Sequence, residues 1–231
     1  MTQSFSVIGH RGWPARYPDN TLSGFAAAAA VADAIETDIR RSGDGKLVLS
    51  HDPEIGGLRV ESNAWATLGD VDLGGGHHPA LLDECLASLP DFPIMFEVKN
   101  MPHEPGFEPD HRLALETATR ARDTDMLTSF HWPTVEAVHR QFPEIRTGVV
   151  VGKEASLADA IEHCLQVGHR LLAPAWSLLT GGDTDDLVDS GLEVFVWTVN
   201  DPGLASELAA AGATGIITDD PGLIAAARDT P

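Results

Sequence analysis

Four short apolar runs of this chain lead into side chains that could do chemistry. Val7-Ile8-Gly9 runs into His10-Arg11-Gly12, Ile35 opens Glu36-Thr37-Asp38, Leu47-Val48-Leu49 precedes Ser50-His51-Asp52, and Ile94-Met95-Phe96 precedes Glu97-Val98-Lys99. Residues i and i+2 of a strand face the same side, so Glu36 projects with Asp38 and Glu97 with Lys99. Carboxylates converging without cysteine suit a hard divalent cation, Mg2+ or Ca2+. Zinc fits poorly, because no thiolate and few imidazoles are at hand to close its shell. His10 and His51 suit general acid and base, since imidazole titrates nearest neutral pH. The Arg11 fork matches two phosphate oxygens. Each piece has a plainer reading: an acidic strand edge, a Glu97–Lys99 ion pair, a surface arginine. Their joint occurrence at strand ends favours a site that binds a metal and a phosphate. For His77, His78, His103, His111, His131, His139, His163 and His169 the plain reading, structural or merely exposed, is kept.

The elements that must position these groups follow from periodicity and turn signals. The first strand ends at His10. Tyr17-Pro18-Asp19-Asn20-Thr21 then leads into a helix over residues 22–34, with Asp19 or Asn20 as its N-cap. A second strand covers residues 35–40. Too few residues separate it from Leu47-Val48-Leu49 for a parallel crossover, so the spacing predicts a hairpin turning at Asp44-Gly45. That hairpin sets His51 roughly opposite Asp38. Residues 53–79 are Gly-rich and without period, a loop or short insertion over the mouth of the fold. Beyond them helices and strands alternate to the end: strands over 93–98, 126–130, 146–151, 170–174, 193–199 and 215–218, with helices over 80–89, 110–122, 133–141, 157–167, 183–190, 202–211 and 221–228. A polar loop, 100–109, follows Lys99. Leaving the hairpin strand aside, eight strands each precede a helix, which predicts an α/β fold, a (β/α)8 TIM-type barrel in one domain over 1–231. An open doubly wound sheet is the rival, but Gly9-His10-Arg11-Gly12 is not its G-x-G-x-x-G fingerprint.

Composition bounds the partners. The 231 residues carry a formal net charge of −20, which disfavours nucleic acid or an anionic membrane as main partner. An anionic small-molecule substrate must then be held by local cations, and with lysine confined to Lys46, Lys99 and Lys153, Lys99 stands out. No segment approaches the ~20 apolar residues of a membrane helix. The N-terminus lacks the basic and apolar regions of a signal peptide, so a cytoplasmic protein is expected. Cys85 and Cys164 read as buried free thiols.

The blocks His10-Arg11-Gly12, Pro18-Asp19-Asn20-Thr21, Glu36-Thr37-Asp38, His51-Asp52 and Glu97-Val98-Lys99 resemble, in order and spacing, those of the glycerophosphodiester phosphodiesterase family. Ser129-Phe130, Val196-Trp197-Thr198-Val199-Asn200 and Gly215-Ile216-Ile217-Thr218-Asp219 extend the resemblance along nearly the whole chain. The resemblance implies a TIM-type barrel that hydrolyses glycerophosphodiesters to glycerol 3-phosphate and an alcohol. It implies a metal on Glu36, Asp38 and Glu97, acid/base catalysis by His10 and His51, and phosphate binding by Arg11 and Lys99. Phe130 and Trp197 are expected as apolar wall of the substrate site. Two departures stand out. Asp19 replaces the family's usual Glu, which a capping role tolerates. The Leu-x-Arg-Thr-Thr run that usually follows His-Asp is absent, which bears on head-group preference. A phosphodiesterase acting on lysophospholipids would need an apolar groove at the mouth, where the loops are polar. A barrel that binds without turnover would be favoured by loss of a histidine or carboxylate, and none is missing.

Overall fold

The computed structural model describes residues 5–180 and 185–230. The chain opens with β1 (Ser6–Gly9), α1 (Leu22–Ala28), β2 (Ala34–Arg41) and β3 (Leu47–Leu49). An excursion follows, with β4 (Glu54–Ile55), β5 (Leu58–Arg59) and α2 (Trp65–Leu68). Then come α3 (Leu82–Ser88), β6 (Ile94–Val98), α4 (Arg112–Ala118), β7 (Met126–Ser129), α5 (Trp132–Gln141), β8 (Arg146–Val151), α6 (Leu157–Val167) and β9 (Leu171–Pro174). The last units are α7 (Asp185–Asp189), β10 (Glu193–Val196), α8 (Pro202–Ala210), β11 (Gly215–Thr218) and α9 (Pro221–Arg228).

The strands close into a barrel because β1 pairs in parallel with β2 on one edge and β11 on the other. That closure of eight parallel strands rules out the open sheet. Alternation assigns the side chains. Ile8, Ala34, Met95, Met126, Val150, Leu171, Ala173, Phe195 and Ile217 fill the barrel, with Phe130 and Trp197 packed on them. Their neighbours face outward against the helices, in one cluster with Val149, Leu172 and Ile216 and another with Ile35, Ile94 and Phe96. Strands buried on both faces read as continuous apolar runs, as parallel strands do.

β3 lies antiparallel to β2, with Ile39 opposite Leu49, and takes the edge that β1 leaves at Ile35. Gly45, at φ +84°, closes the hairpin. Ser50 N donates to Asp38 O at 3.0 Å, so Ser50 faces Asp38 and His51 follows by one residue. Residues 53–79 hold more structure than a loop. Their short elements pack a cluster of their own, Val48, Ile55, Val60 and Leu68. Pieces of two to four residues leave no period to read. α1 stops well before residue 34: Asp33 N donates to Val7 O, and its carboxylate accepts from Val7 N, both at 2.8 Å. Those bonds turn the chain into β2. The cap is Thr21, whose hydroxyl accepts from Gly24 N; neither Asp19 nor Asn20 does this work. Of the helix expected over 183–190, residues 183 and 184 lie outside the described residues. Cys85 and Cys164 are buried and free. Among the described residues no helix is long and apolar enough to cross a membrane.

The barrel end opposite the mouth is tied by one buried carboxylate. Asp125, with no exposed surface, accepts from Ile94 N at 3.1 Å and from the Arg122 guanidinium at 2.8 Å. Arg122 also donates to the carbonyls of Pro90 and Phe92. Removing one partner of such a pair strands the other. Asp125→Ala should therefore lower unfolding free energy by about 3 kcal/mol, read from the denaturant midpoint, with divalent-cation binding in the folded protein unchanged.

Candidate active site at the barrel mouth

Two strands set the centre. β2 and β6 pair in a register that puts Asp38 opposite Glu97 and Glu36 opposite Met95. With alternation, this directs Glu36, Asp38 and Glu97 into the barrel above the apolar fill. One carboxylate oxygen from each lies within 4.8 Å of the others. The two carboxylates of β2 were expected at the end of the strand; instead β2 runs three residues past Asp38, because β3 supplies it with a partner there.

The first turn bends sharply to meet them. A Cβ at Gly9 would lie 2.3 Å from Gly12 O, and Gly12 has φ +93°, so both glycines are required by the turn. Between them Arg11 is held at φ +51°, a left-handed conformation that costs a non-glycine residue about 1–3 kcal/mol. In that pose Arg11 N donates to Glu36 Oε2 at 3.0 Å, Nη1 donates to Asp19 Oδ2 at 2.9 Å, and Nε lies 3.4 Å from Asp38 Oδ2. Asp19, expected to cap α1, is thus a partner of Arg11. Asn20, also left-handed at φ +58°, donates from Nδ2 to Asp38 Oδ2 at 3.0 Å. Lys99 Nζ is 2.9 Å from Asp38 Oδ1 and also bonds Glu97 Oε1. The two expected phosphate ligands therefore reach into the carboxylate group and neutralise it.

The histidines flank this centre and are held differently. His10 Nδ1 bonds Asp219 Oδ1 at 2.7 Å, which leaves Nε2, 4.0 Å from Glu36 Oε2, as the free ring nitrogen. Asp219 is itself fixed: Asn200 Nδ2 donates to Asp219 Oδ2 at 2.7 Å, and Asn200 Oδ1 accepts from Asp219 N at 2.8 Å. Asp219 and Asn200 stand in the sequence blocks quoted above but received no role there; the signal was a polar residue just beyond each of the last two strands. His51 Nδ1 bonds its own neighbour, Asp52 Oδ1, at 2.7 Å, and its side chain is 40% exposed. A cavity of about 110 Å3 joins His10, Arg11, Glu36, His51, Glu97 and Lys99 to Phe130 and Trp197. The two rings meet edge to face at 5.5 Å, and Trp197 Nε1 donates to Ala173 O. So all nine expected residues gather at one mouth, Asp38 directly behind its cavity. Of the remaining histidines, His139 and His163 both pack on His169.

Electrostatics separate the carboxylates. Burial first, then Asp38 and Glu97, push Glu36 up to about 8. Asp38 goes the other way: burial opposes its charge, but Lys99 and Arg11 outweigh it and hold the carboxyl down at about 2. Burial also works against a charged His10, yet the Asp219 bond and Glu36 raise it above its ordinary value. Glu36 Oε1 is buried with no hydrogen-bond partner. An all-oxygen donor set with an unsatisfied inward-facing carboxylate fits a divalent cation such as Mg2+ or Ca2+.

Fold and mouth together define a (β/α)8 barrel with an acidic centre flanked by two histidines. The chain belongs to the glycerophosphoryl diester phosphodiesterase family, whose profile matches residues 10–223. It is 26% identical over 231 residues to a glycerophosphodiester phosphodiesterase of Caldanaerobacter subterraneus subsp. tengcongensis, spanning 93% of this chain and 94% of that one. The crystal structure of a glycerophosphodiester phosphodiesterase from Thermotoga maritima superposes with a TM-score of 0.79 at 26% identity, covering 95% and 96% of the two chains. A phosphodiesterase of Oleispira antarctica, solved with the product sn-glycerol-3-phosphate, has the same fold, with a TM-score of 0.84 at 23% identity and 97% of each chain covered.

A cation on this group must displace the proton that Glu36 carries below about pH 8, since metal ligands bind deprotonated. The sign follows: below that pH, affinity for Mg2+ should fall about tenfold per unit, and above it should level off. Calorimetry at pH 7 in buffers of differing ionisation enthalpy should find close to one proton released per cation bound. Release of none would show that Glu36 is already ionised.

Proposed function

We propose that the chain hydrolyses small glycerophosphodiesters to glycerol 3-phosphate and an alcohol, using a divalent cation, Mg2+ or Ca2+, on Glu36, Asp38 and Glu97. The observation that carries this reading is the convergence of those three carboxylates within 4.8 Å of one another, at a mouth lined by His10 and His51 from different strands. When bound, the cation would supply positive charge against the phosphoryl oxygens and lower the pKa of a nearby hydroxyl. The loops 53–79 and 100–109 beside the mouth are largely polar, which favours a soluble diester over a lysophospholipid. Both histidines and all three carboxylates are present, which favours turnover over binding alone.

Phosphodiesters are attacked in line, with entering and leaving oxygens on opposite sides of phosphorus. In this mechanism the glycerol 2-hydroxyl, adjacent to the ester, is the first nucleophile. One histidine takes its proton as the new O–P bond forms. The P–O bond to the alcohol breaks, and the other histidine protonates the departing oxygen. Water then opens the resulting cyclic phosphate, with the two imidazoles in exchanged roles. Arg11 and Lys99 hold the phosphate, the second by releasing its carboxylate partners. Phe130 and Trp197 wall the glycerol side. Asp219 keeps His10 in the tautomer whose Nε2 does the work.

The reading is tested with glycerophosphocholine as substrate, with Mg2+, Ca2+ or chelator present. Chelator should abolish turnover, and full activity in excess chelator would remove the metal assignment. His10→Ala and His51→Ala should each lower kcat by about 10^2–10^4-fold, with cation binding retained and the double variant little worse than either single one. Asp219→Asn should cost at least about tenfold in kcat. A separate outcome decides the nucleophile. If a substrate analogue lacking the 2-hydroxyl is hydrolysed at the normal rate, water attacks directly and no cyclic phosphate forms.

A further inference from the structure

One buried cation at the mouth is used neither by the carboxylate group nor by the phosphate reading. Arg40 follows Glu36 and Asp38 on the inward face of β2, is 5% exposed, and lies above them, where β2 has left the barrel wall to pair with β3. Its guanidinium forks onto one backbone atom. Nε and Nη2 donate to His51 O at 2.9 and 2.6 Å, and Nη2 is also 2.7 Å from Glu104 Oε2.

That carbonyl belongs to the residue most in need of support. The β2–β3 ladder ends with the Ser50 N bond to Asp38 O, one residue short of His51. Among the described residues no backbone–backbone hydrogen bond reaches His51. Its ring bonds only Asp52, whose side chain is 75% exposed, whereas Asp219 at His10 is tied down by Asn200. The position of the His51 ring thus depends on where its own backbone is held: Ser50 Oγ donates across it to Asp52 O at 2.8 Å, and Arg40 holds the His51 carbonyl itself.

We propose that Arg40 is the positioning residue for His51, and that through Glu104 it ties the histidine to the loop 100–109 beyond Lys99. The inference rests on the acid/base reading of His51. A guanidinium suits the task because its planar fork reaches one carbonyl with two donors and still presents an edge to a carboxylate. An ammonium is a point charge and cannot reproduce that geometry. Displacement of a catalytic group by about 1 Å lowers turnover on the order of a hundredfold. Substrate binding, carried by the cation and by Arg11, should be little affected.

The test is steady-state kinetics of the full chain with glycerophosphocholine and saturating Mg2+. Arg40→Ala should lower kcat about a hundredfold with KM within about threefold, and Arg40→Lys should recover little. Millimolar guanidinium chloride, far below denaturing concentration, should restore Arg40→Ala at least tenfold while leaving the wild type unchanged. In a His51→Ala background Arg40→Ala should cost nothing further. Wild-type turnover by Arg40→Ala overturns the proposal. So does a loss that guanidinium does not restore, or one that persists undiminished without His51, since either marks Arg40 as a merely structural residue. If His51→Ala is itself fully active, the acid/base reading of His51 fails, and the positioning role falls with it. If instead His51→Ala is inactive while Arg40→Ala is not, the positioning role alone fails.

Discussion

The mouth of this barrel depends on forcing three carboxylates together where two of them, Glu36 and Asp38, are buried. Like charges so close repel strongly at low dielectric, and the β2–β6 register leaves Glu36, Asp38 and Glu97 no means of separating. Three responses are visible. Lys99 is drawn onto Asp38 and Glu97, Arg11 turns its side chain toward Asp38, and Glu36, which no cation side chain bonds, is pushed up to about 8. The left-handed residues belong to the same response. Arg11 and Asn20 adopt strained backbone conformations, and in each case the strained residue donates a hydrogen bond to a crowded carboxylate. Strain at functional residues persists only where the surroundings over-determine it, here through Gly12, through Asp19 on Arg11, and through Thr37, whose hydroxyl donates to Asn20 Oδ1 at 2.7 Å.

The two ends of the barrel show how that strain is tolerated. At the closed end, Arg122 and Asp125 satisfy one another and the backbone around them. At the open end, Glu36 keeps an oxygen with no hydrogen-bond partner, and Arg11 Nε has an ion-pair contact with Asp38 but no hydrogen bond. Stability and function are thus divided along the barrel axis, as in this architecture generally. The apolar fill from Ile8 to Ile217 separates the two layers.

What was legible in the sequence follows the range of the interactions. Strand alternation gave the shared face of Glu36 and Asp38, and the short Asp44-Gly45 turn gave the hairpin that brings His51 to the same mouth, because both are set within a few residues. The βα count gave the barrel, because each unit buries its own strand. Contacts made across the closure were not legible. Asp219 meets His10 over 209 residues of chain, and only the pairing of β1 with β11 brings them together. Asp19 and Asn20 looked like helix caps because their residue types favour caps. The pull of Arg11 and Asp38 overrode that local preference and left the cap to Thr21. Arg40 gave no local signal, since its role is set by where β3 ends.

The charge balance at the mouth links binding of a cation to binding of a phosphate. Without a cation, Lys99 and Arg11 are engaged by the carboxylates they neutralise, and a phosphodiester would have to compete with those carboxylates for them. The surplus of acidic residues over the whole chain gives an incoming anion no long-range help. A divalent cation on Glu36, Asp38 and Glu97 would remove the reason for Lys99 and Arg11 to face inward. Two positive side chains would then be less tightly claimed, and together they would outweigh the charge left on the carboxylates and cation. The same two residues can therefore stabilise the folded, cation-free barrel and serve an anionic substrate, because the negative charge they answer to is reduced when a cation binds.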